Sequence, residues 1–496
     1  MKTIIFNKVK KATIGLFPLY LFAILPLLAS CEDYLDVKPS TELDRSELFR
    51  SESGYVDALT GVYTQMASSS MYGRDLSIII PDALDGTYSS NPQLQQWTMF
   101  AFKHDDPNRN ENAIAAIDVI WGNMYNCIVN LNSLLGSIDD NKGVFSGDDY
   151  RIIKGEALGL HAFLHFELLR MFAPSYAVDP NAAVIPYSTE MSTDIQPLMP
   201  TKDIMKKLIE ELTQARELMQ NDPIHTGKSP NIHMAPLSSD PGMDEWHNRR
   251  FRFNYYAVVA TLARVYLWQG DKEKALACAK EVIADQQRFP WVTSENLVNI
   301  GSNNQNDKNQ DRLFATEHIF AMNVLQLESF LDGYTWLGHT TLTSLATTLS
   351  YDVYGSLFDG KDVRRQYLIG QSGWYYISTK YTQTTDVYNC YKARVPLIRI
   401  SEMYYIAAEC EPDAAKALGY LEEVRSHRGL SDIPLSSGVD LQSEIAKEYR
   451  KEFVGEGQMW YYYKRTNAAS IPNRSGFKTE YYTFDRPEKE DVYANR

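Results

Sequence analysis

Over long stretches of the chain, apolar residues recur every three or four positions, the spacing that lines one face of a helix. The pattern predicts helices over 113–135, 150–172, 201–220, 253–269, 272–287, 397–410, 412–427 and 441–456. The longest polar stretches, rich in Gly, Ser and Asn, fall near 86–112, 222–250, 293–316 and 370–392 and read as loops. A mainly α fold is expected.

The first thirty residues are patterned differently. Lys2, Lys8, Lys10 and Lys11 precede an apolar run from Ile14 to Ala29 that contains Pro18 and Pro26. A basic start followed by a short apolar run is the layout of an export signal. Two prolines, and a length under the roughly 20 apolar residues of a membrane span, argue against an uncleaved anchor. The run ends in Leu28-Ala29-Ser30-Cys31, which looks like a lipobox: small residues fit the signal peptidase, and the Cys31 thiol takes a diacylglyceryl group. Residues 1–30 are therefore read as a lipoprotein signal peptide, with membrane attachment through the lipid alone.

Two distant segments align without a gap, Tyr266-Leu-Trp-Gln-Gly-Asp-Lys-Glu-Lys-Ala-Leu and Ala408-Glu-Cys-Glu-Pro-Asp-Ala-Ala-Lys-Ala-Leu. Each reads as helix, tight turn, helix. Ala263, Tyr266 and Ala275 occupy positions where a tetratricopeptide repeat places small and aromatic packing residues, which let two antiparallel helices approach closely. Tandem repeats of that kind recur about every 34 residues, whereas Ala275 and Ala417 are 142 positions apart. Large insertions must separate the repeats, and insertions on one face often carry the binding site.

Charge and cysteine content narrow the functional classes. The full chain has a net charge of −14, and losing residues 1–30, with four lysines and no acids, takes the remaining 466 residues to −18. So acidic a surface disfavours nucleic acid as a partner. Beyond Cys31, the cysteines Cys127, Cys278, Cys390 and Cys410 show neither a CxxC pair nor zinc-type spacing, and read as buried free thiols. An oxidising exterior permits disulfides, but spacing selects no pairing.

Several blocks together resemble the SusD/RagB family of outer-membrane nutrient-binding lipoproteins, from Cys31 almost to the C-terminus. Cys31-Glu-Asp-Tyr-Leu-Asp, Pro39 and then Tyr55 to Tyr63 look like the family's opening and entry to its first helix. Trp121, Tyr125, Ile128, Asn130 and Leu134 look like the next helix, followed by Glu156 to Arg170 and by Ile185-Pro186. His161 stands where Arg is usual. Ile398 to Cys410, Val424-Arg425, Arg428-Gly429 and Glu448 to Gly457 form the block of strongest resemblance. There Arg399, Glu402, Glu409, Arg450, Glu452 and Glu456 read as structural ion pairs between helices, because an unpaired charge between packed helices is costly. Gln458 replaces a common Arg, and Tyr461 to Tyr463 cover a stretch where Asp is frequent, so one link of that network is expected to differ. The resemblance implies one SusD-like domain over 31–496: tetratricopeptide-like helix pairs in a right-handed superhelical scaffold with large irregular loop insertions.

Catalytic signatures are lacking. The sequence has no Gly-x-Ser-x-Gly elbow, Walker loop, dinucleotide fingerprint or His-Glu-x-x-His motif. His161 and His165 share a helical face at metal-ligand spacing, but without a third ligand in the motif they read as packing residues. Asp105 to Asn112 is oxygen-rich, yet lacks the glycine and closing Glu of a calcium loop, and reads as the cap of the helix starting near Ala113. Glycoside hydrolysis needs two carboxylates at a set separation, and among 63 acids no pair can be nominated. No catalytic residue, cofactor or metal ligand is assigned.

A ligand face is expected in the polar loops, where aromatic rings can meet the C–H faces of sugars while amides bond the hydroxyls. Tyr88 and Trp97 are interleaved with Asn91, Gln95 and Gln96. Of these, Trp97 is favoured, and the resemblance implies a ligand contact in about this place. The cluster Gly333 to His339, with Tyr334 and Trp336, falls where the resemblance implies the other side of the site, and Trp374-Tyr-Tyr376 is a third candidate. Trp121, Trp268 and Trp460 read as core. The resemblance implies a surface-exposed outer-membrane lipoprotein that captures oligosaccharide and delivers it to a SusC-like TonB-dependent transporter. A peptide or other non-glycan nutrient is the alternative ligand, a surface glycoside hydrolase the alternative from another class, and a helical scaffold that only bridges proteins the third reading.

Overall fold

A computed structural model describes residues 47–89, 98, 100–227, 248–298, 311–332, 348–355, 357–372, 375–382 and 391–493. Among these residues the scaffold is built by ten helices of eight residues or more: α1 (Glu52–Met66), α2 (Glu111–Ile138), α3 (Asp149–Phe172), α4 (Thr201–Leu218), α5 (Tyr255–Gln269), α6 (Lys272–Ala284), α7 (Ile400–Cys410), α8 (Ala414–Arg425), α9 (Leu441–Glu452) and α10 (Gln458–Arg465). The periodic pattern placed α2 to α9 within a few residues of these bounds. Each helix from α2 to α8 packs on the one before it, and α7 also carries α9, which packs on α10.

Local chemistry sets the ends. Ser51 caps α1 by accepting from the Gly54 N–H, and Asn110 caps α2 by accepting from Asn112 and Ala113, so the oxygen-rich stretch 105–112 does end in a helix cap. Along α1 the buried stripe is Tyr55, Leu59, Val62, Tyr63 and Met66, one helical face. By contrast, nearly every residue of α3 from Ile152 to Phe172 is buried, which makes it a central helix.

The two aligned segments form matched helix pairs. α5 stops at Gly270, whose φ of 89° lies in the left-handed region that favours glycine. Asp271 then caps α6, and its aligned counterpart Asp413 caps α8. Ala263, Ala275 and Ala417 are buried in these pairs. Although 142 positions separate the matched alanines, α6 packs directly on α7, so the residues between them are an insertion in the run of packed helices.

Among the described residues seven short strands decorate the helices. β1 (Ala183–Pro186) pairs with β2 (Leu198–Pro200), and β3 (His318–Asn323) with β7 (Arg394–Arg399), both antiparallel. The third sheet has the order β4-β6-β5, from Thr348–Leu349, Tyr375–Ser378 and Ile369–Ser372. Two expectations are corrected. The helix predicted from Leu397 starts at Ile400, since Arg394 to Arg399 form a strand buried along its whole length that contains Pro396. Part of the expected loop 370–392 is the β5–β6 hairpin.

The block from Arg394 onward carries a buried ion network. Glu452 accepts from Arg364, Arg399 and Arg428; Arg428 also bonds Glu317, and Arg364 also bonds Asp362 and Glu448. Burial alone would raise the Glu452 carboxyl, but the surrounding guanidiniums, Arg428 foremost, hold it well below the usual carboxylate range. Glu402 pairs with Arg264 and Glu409 with Arg465. Arg450 departs from the expected pattern by donating to the Tyr463 hydroxyl at 2.6 Å, and the Tyr461–Tyr463 stretch is where a difference was anticipated. His161 bonds Glu211 and the Ser188 carbonyl, both at 2.7 Å, while burial holds His165 neutral against the Ser188 N–H. They are packing residues. Among the described residues no cluster of three metal-ligating side chains occurs. Cys127, Cys278 and Cys410 are buried free thiols, and Cys390 lies outside the described residues.

Candidate functional site

The site begins at the turn after the short helix Ile80–Leu84. Asp85 accepts from the Thr87 N–H at 2.8 Å across Gly86. Gly86 has a φ of 82°, and a Cβ there would stand 2.2 Å from the Pro472 carbonyl oxygen, so no larger residue fits. Past this turn Tyr88 forms a β-bridge to Leu349, the Ser89 N–H donates to the Thr348 carbonyl at 2.8 Å, and the Ser350 N–H donates to the Thr87 carbonyl at 3.1 Å. Ser89 and Thr348, the described residues next to stretches 90–97 and 333–347, are thus one hydrogen bond apart.

The small sheet joins a third segment to that junction. β4 pairs with β6 through Thr348↔Ile377 and Leu349↔Tyr376, and the β5–β6 hairpin closes on the Ser372↔Tyr375 pair around residues 373–374. Described residues next to all three nominated stretches, Ser89, Thr348, Ser372 and Tyr375, therefore meet at this one sheet. Trp97, Asn91, Gln95, Gln96, Tyr334, Trp336 and Trp374 themselves lie outside the described residues, as does Cys31.

Tyr88 is a correction. Its ring is 1% exposed and its hydroxyl donates to the Ile78 carbonyl at 2.6 Å, so it locks the turn to the core and offers no face to a ligand. The polar residues around it, Gly86, Thr87 and Ser89, gave it the appearance of a loop ring. Trp121 and Trp460 are buried core residues as read, and Trp268 is buried too.

On the same sheet the structure presents a ring that sequence reasoning missed. Tyr351 is 62% exposed, and it stacks on half-buried Tyr376 with centroids 5.7 Å apart and planes inclined by 15°. The Arg365 guanidinium lies 5.3 Å from the Tyr376 ring centroid, which stiffens the pair from another side. Only Tyr376 belonged to a nominated cluster. Tyr351 opens the short helix Tyr351–Tyr354 directly after the Ser350 contact, and this tertiary position has no sequence signal beyond an isolated Tyr. A preordered aromatic pair beside three loop roots can take the apolar face of a ring-shaped ligand.

Comparison with known proteins agrees with this architecture. A family model described as starch-binding associating with outer membrane matches residues 33–235, and the model of the SusD family matches residues 292–496. The chain belongs to the SusD/RagB family. A SusD-like protein P2 from Formosa agariphila is 21% identical, with 89% of each chain covered. A SusD superfamily protein from Bacteroides vulgatus has a solved structure that matches with a TM-score of 0.68 at 21% identity, covering 90% of this chain and 98% of that one. Another from the same species, titled a SusD-like carbohydrate binding protein, matches with a TM-score of 0.65 at 19% identity, covering 89% and 96%. At such identities the structural matches establish the shared helical fold, and the family is one of outer-membrane-associated proteins.

Proposed function

We propose that the chain is a cell-surface lipoprotein, anchored by Cys31, that captures oligosaccharide and delivers it to a SusC-like TonB-dependent outer-membrane transporter. The observation that carries this reading is the exposed Tyr351–Tyr376 stack, beside described residues that adjoin the sequence stretches bearing Trp97, Trp336 and Trp374. Stacked rings supply the flat apolar contact that sugar C–H faces need, and the amides of Asn91 and Gln96 supply hydroxyl partners. The family's association with sugar binding and with the outer membrane supports the same reading. The role is capture, with residues 31–496 acting as one domain and no catalytic group assigned.

The test is calorimetric titration of the chain starting after Cys31 against plant, microbial and host oligosaccharides, with Trp97→Ala and Tyr351→Ala in parallel. Binding to the wild type that weakens at least tenfold in both variants, with unfolding temperatures preserved, is the expected result. No glycan bound, or products released from the glycan on incubation, would overturn it in favour of peptide capture or hydrolysis respectively.

A further inference from the structure

Away from the platform, a cleft of about 450 Å³ opens between α1 and the end of β3. Its volume lies in the range of small-molecule sites, roughly 300–1,000 Å³. Tyr63, Phe251 and Phe330 contribute ring surface, and Phe251 and Phe330 are only half-buried. Thr64, Ser68, Asn323 and Gln326 contribute neutral hydrogen-bonding groups, and the one charged lining residue among those described is Arg252.

The hydrogen bonds around Arg252 leave part of its donor set unused at the cleft. Behind it, Glu156 Oε1 accepts from the Tyr63 hydroxyl at 2.7 Å and Oε2 from Arg249 at 2.6 Å, while Arg249 also grips Asp222 through two bonds of 3.0 and 2.9 Å. Both Glu156 oxygens are therefore engaged by closer donors. Arg252 Nη1 forms an ion pair with Glu156 Oε1 at 3.9 Å, longer than a hydrogen bond, and its Nη2 donates to Thr60 Oγ1 at 3.1 Å. Its guanidinium lies 4.9 Å from the Tyr63 ring centroid, a contact that fixes the group without using its N–H donors. Nε and Nη1 have no hydrogen-bond partner among the described residues. A guanidinium held in this way, with N–H donors on Nε and Nη1 unspent, can donate to a carboxylate.

We propose that this cleft is a second saccharide subsite, selective for a sugar unit that carries a carboxylate: a uronate at or near the end of an acidic oligosaccharide. The carboxylate pairs with Arg252, the ring lies against Phe251 and Phe330, and the hydroxyls meet Asn323, Gln326 and Thr64. In a chain with so large an excess of acidic residues, the surrounding field repels anions, so an acidic ligand requires a local cation such as this one. The inference rests on the glycan-capture reading and adds a substrate class to it.

The experiment titrates the chain starting after Cys31 with uronate-terminated di- and trisaccharides and with their neutral hexose counterparts, at low and high salt. Arg252→Gln and Phe330→Ala are compared with the wild type, and Tyr351→Ala reports on the platform. The expected result is binding of the uronate ligands that falls at least tenfold in Arg252→Gln and in Phe330→Ala, weakens with salt, and exceeds binding of the neutral ligands. Phe330→Ala leaves the Glu156 network untouched, so it answers even if Arg252→Gln destabilises the fold. Equal binding of acidic and neutral ligands, or uronate binding unaffected by Phe330→Ala, overturns the subsite. Arg252-dependent binding of a peptide carboxylate in place of uronates overturns it in favour of a peptide site. Neutral glycans that bind through Tyr351 while the cleft stays silent would leave the capture reading standing and remove only this inference.

Discussion

Asp85 sits at the foot of segment 90–97 with one carboxylate oxygen bonded to the Thr87 N–H and the other without a hydrogen-bond partner among the described residues. Burial pushes its carboxyl up to about 7, with Thr87, Arg474 and Arg450 opposing the shift. Asp82 beside it is raised as well, by burial first and then by Asp85, even though it accepts the Gly455 and Gly457 N–H groups. Between about pH 4 and pH 7 folded Asp85 keeps a proton that the unfolded chain has released. Its contribution to stability therefore falls as pH rises through that window, by at most about 1.4 kcal/mol per pH unit. Asp85→Asn keeps an acceptor for Thr87 and removes the titration. Its unfolding temperature relative to the wild type is expected to increase from pH 5 to pH 8, and a constant or shrinking difference would show that Asp85 is ionised throughout. At this scale the sequence showed which residue types were present but not which were covered: Tyr88 and Tyr351 both follow polar residues, and only packing buries one and exposes the other.

At the scale of elements, hydrophobic periodicity was legible because a helix buries a face at every turn, and the bounds of α2 to α9 follow from it. Strands of two to six residues were not legible, since a short apolar run such as Val395 to Ile400 has no period long enough to separate strand from helix. The aligned repeats make a sharper statement. Ala275 and Ala417 are each almost fully buried where α6 and α8 meet their partner helices. Ala275→Leu and Ala417→Leu are each expected to lose about 1–3 kcal/mol in urea denaturation, as overpacked helix contacts do. A loss below about 0.5 kcal/mol for both would mean that the matched alanines do not hold the pairs together.

For the whole molecule, the proposed lipid attachment at Cys31 predicts an effect on location and not on folding. Cys31→Ser is expected to move the protein from the outer-membrane fraction to the soluble fraction with its unfolding temperature unchanged. Retention in the membrane pellet would exclude the lipid as the anchor. Among the described residues the main core runs from Phe49 to Phe484 through every helix of the scaffold. Helix positions, the matched pairs, the acidic balance and the lipobox-like cysteine were all present in the order of residues, because each depends on neighbours within a few positions along the chain. The junction of Ser89 with Thr348, the stack of Tyr351 on Tyr376 and the unspent donors of Arg252 were not, because each joins groups that are distant in sequence or depends on which competing partner lies nearer. Distances and burial across the folded chain set those contacts, and a linear pattern of apolar and polar positions carries no information about them.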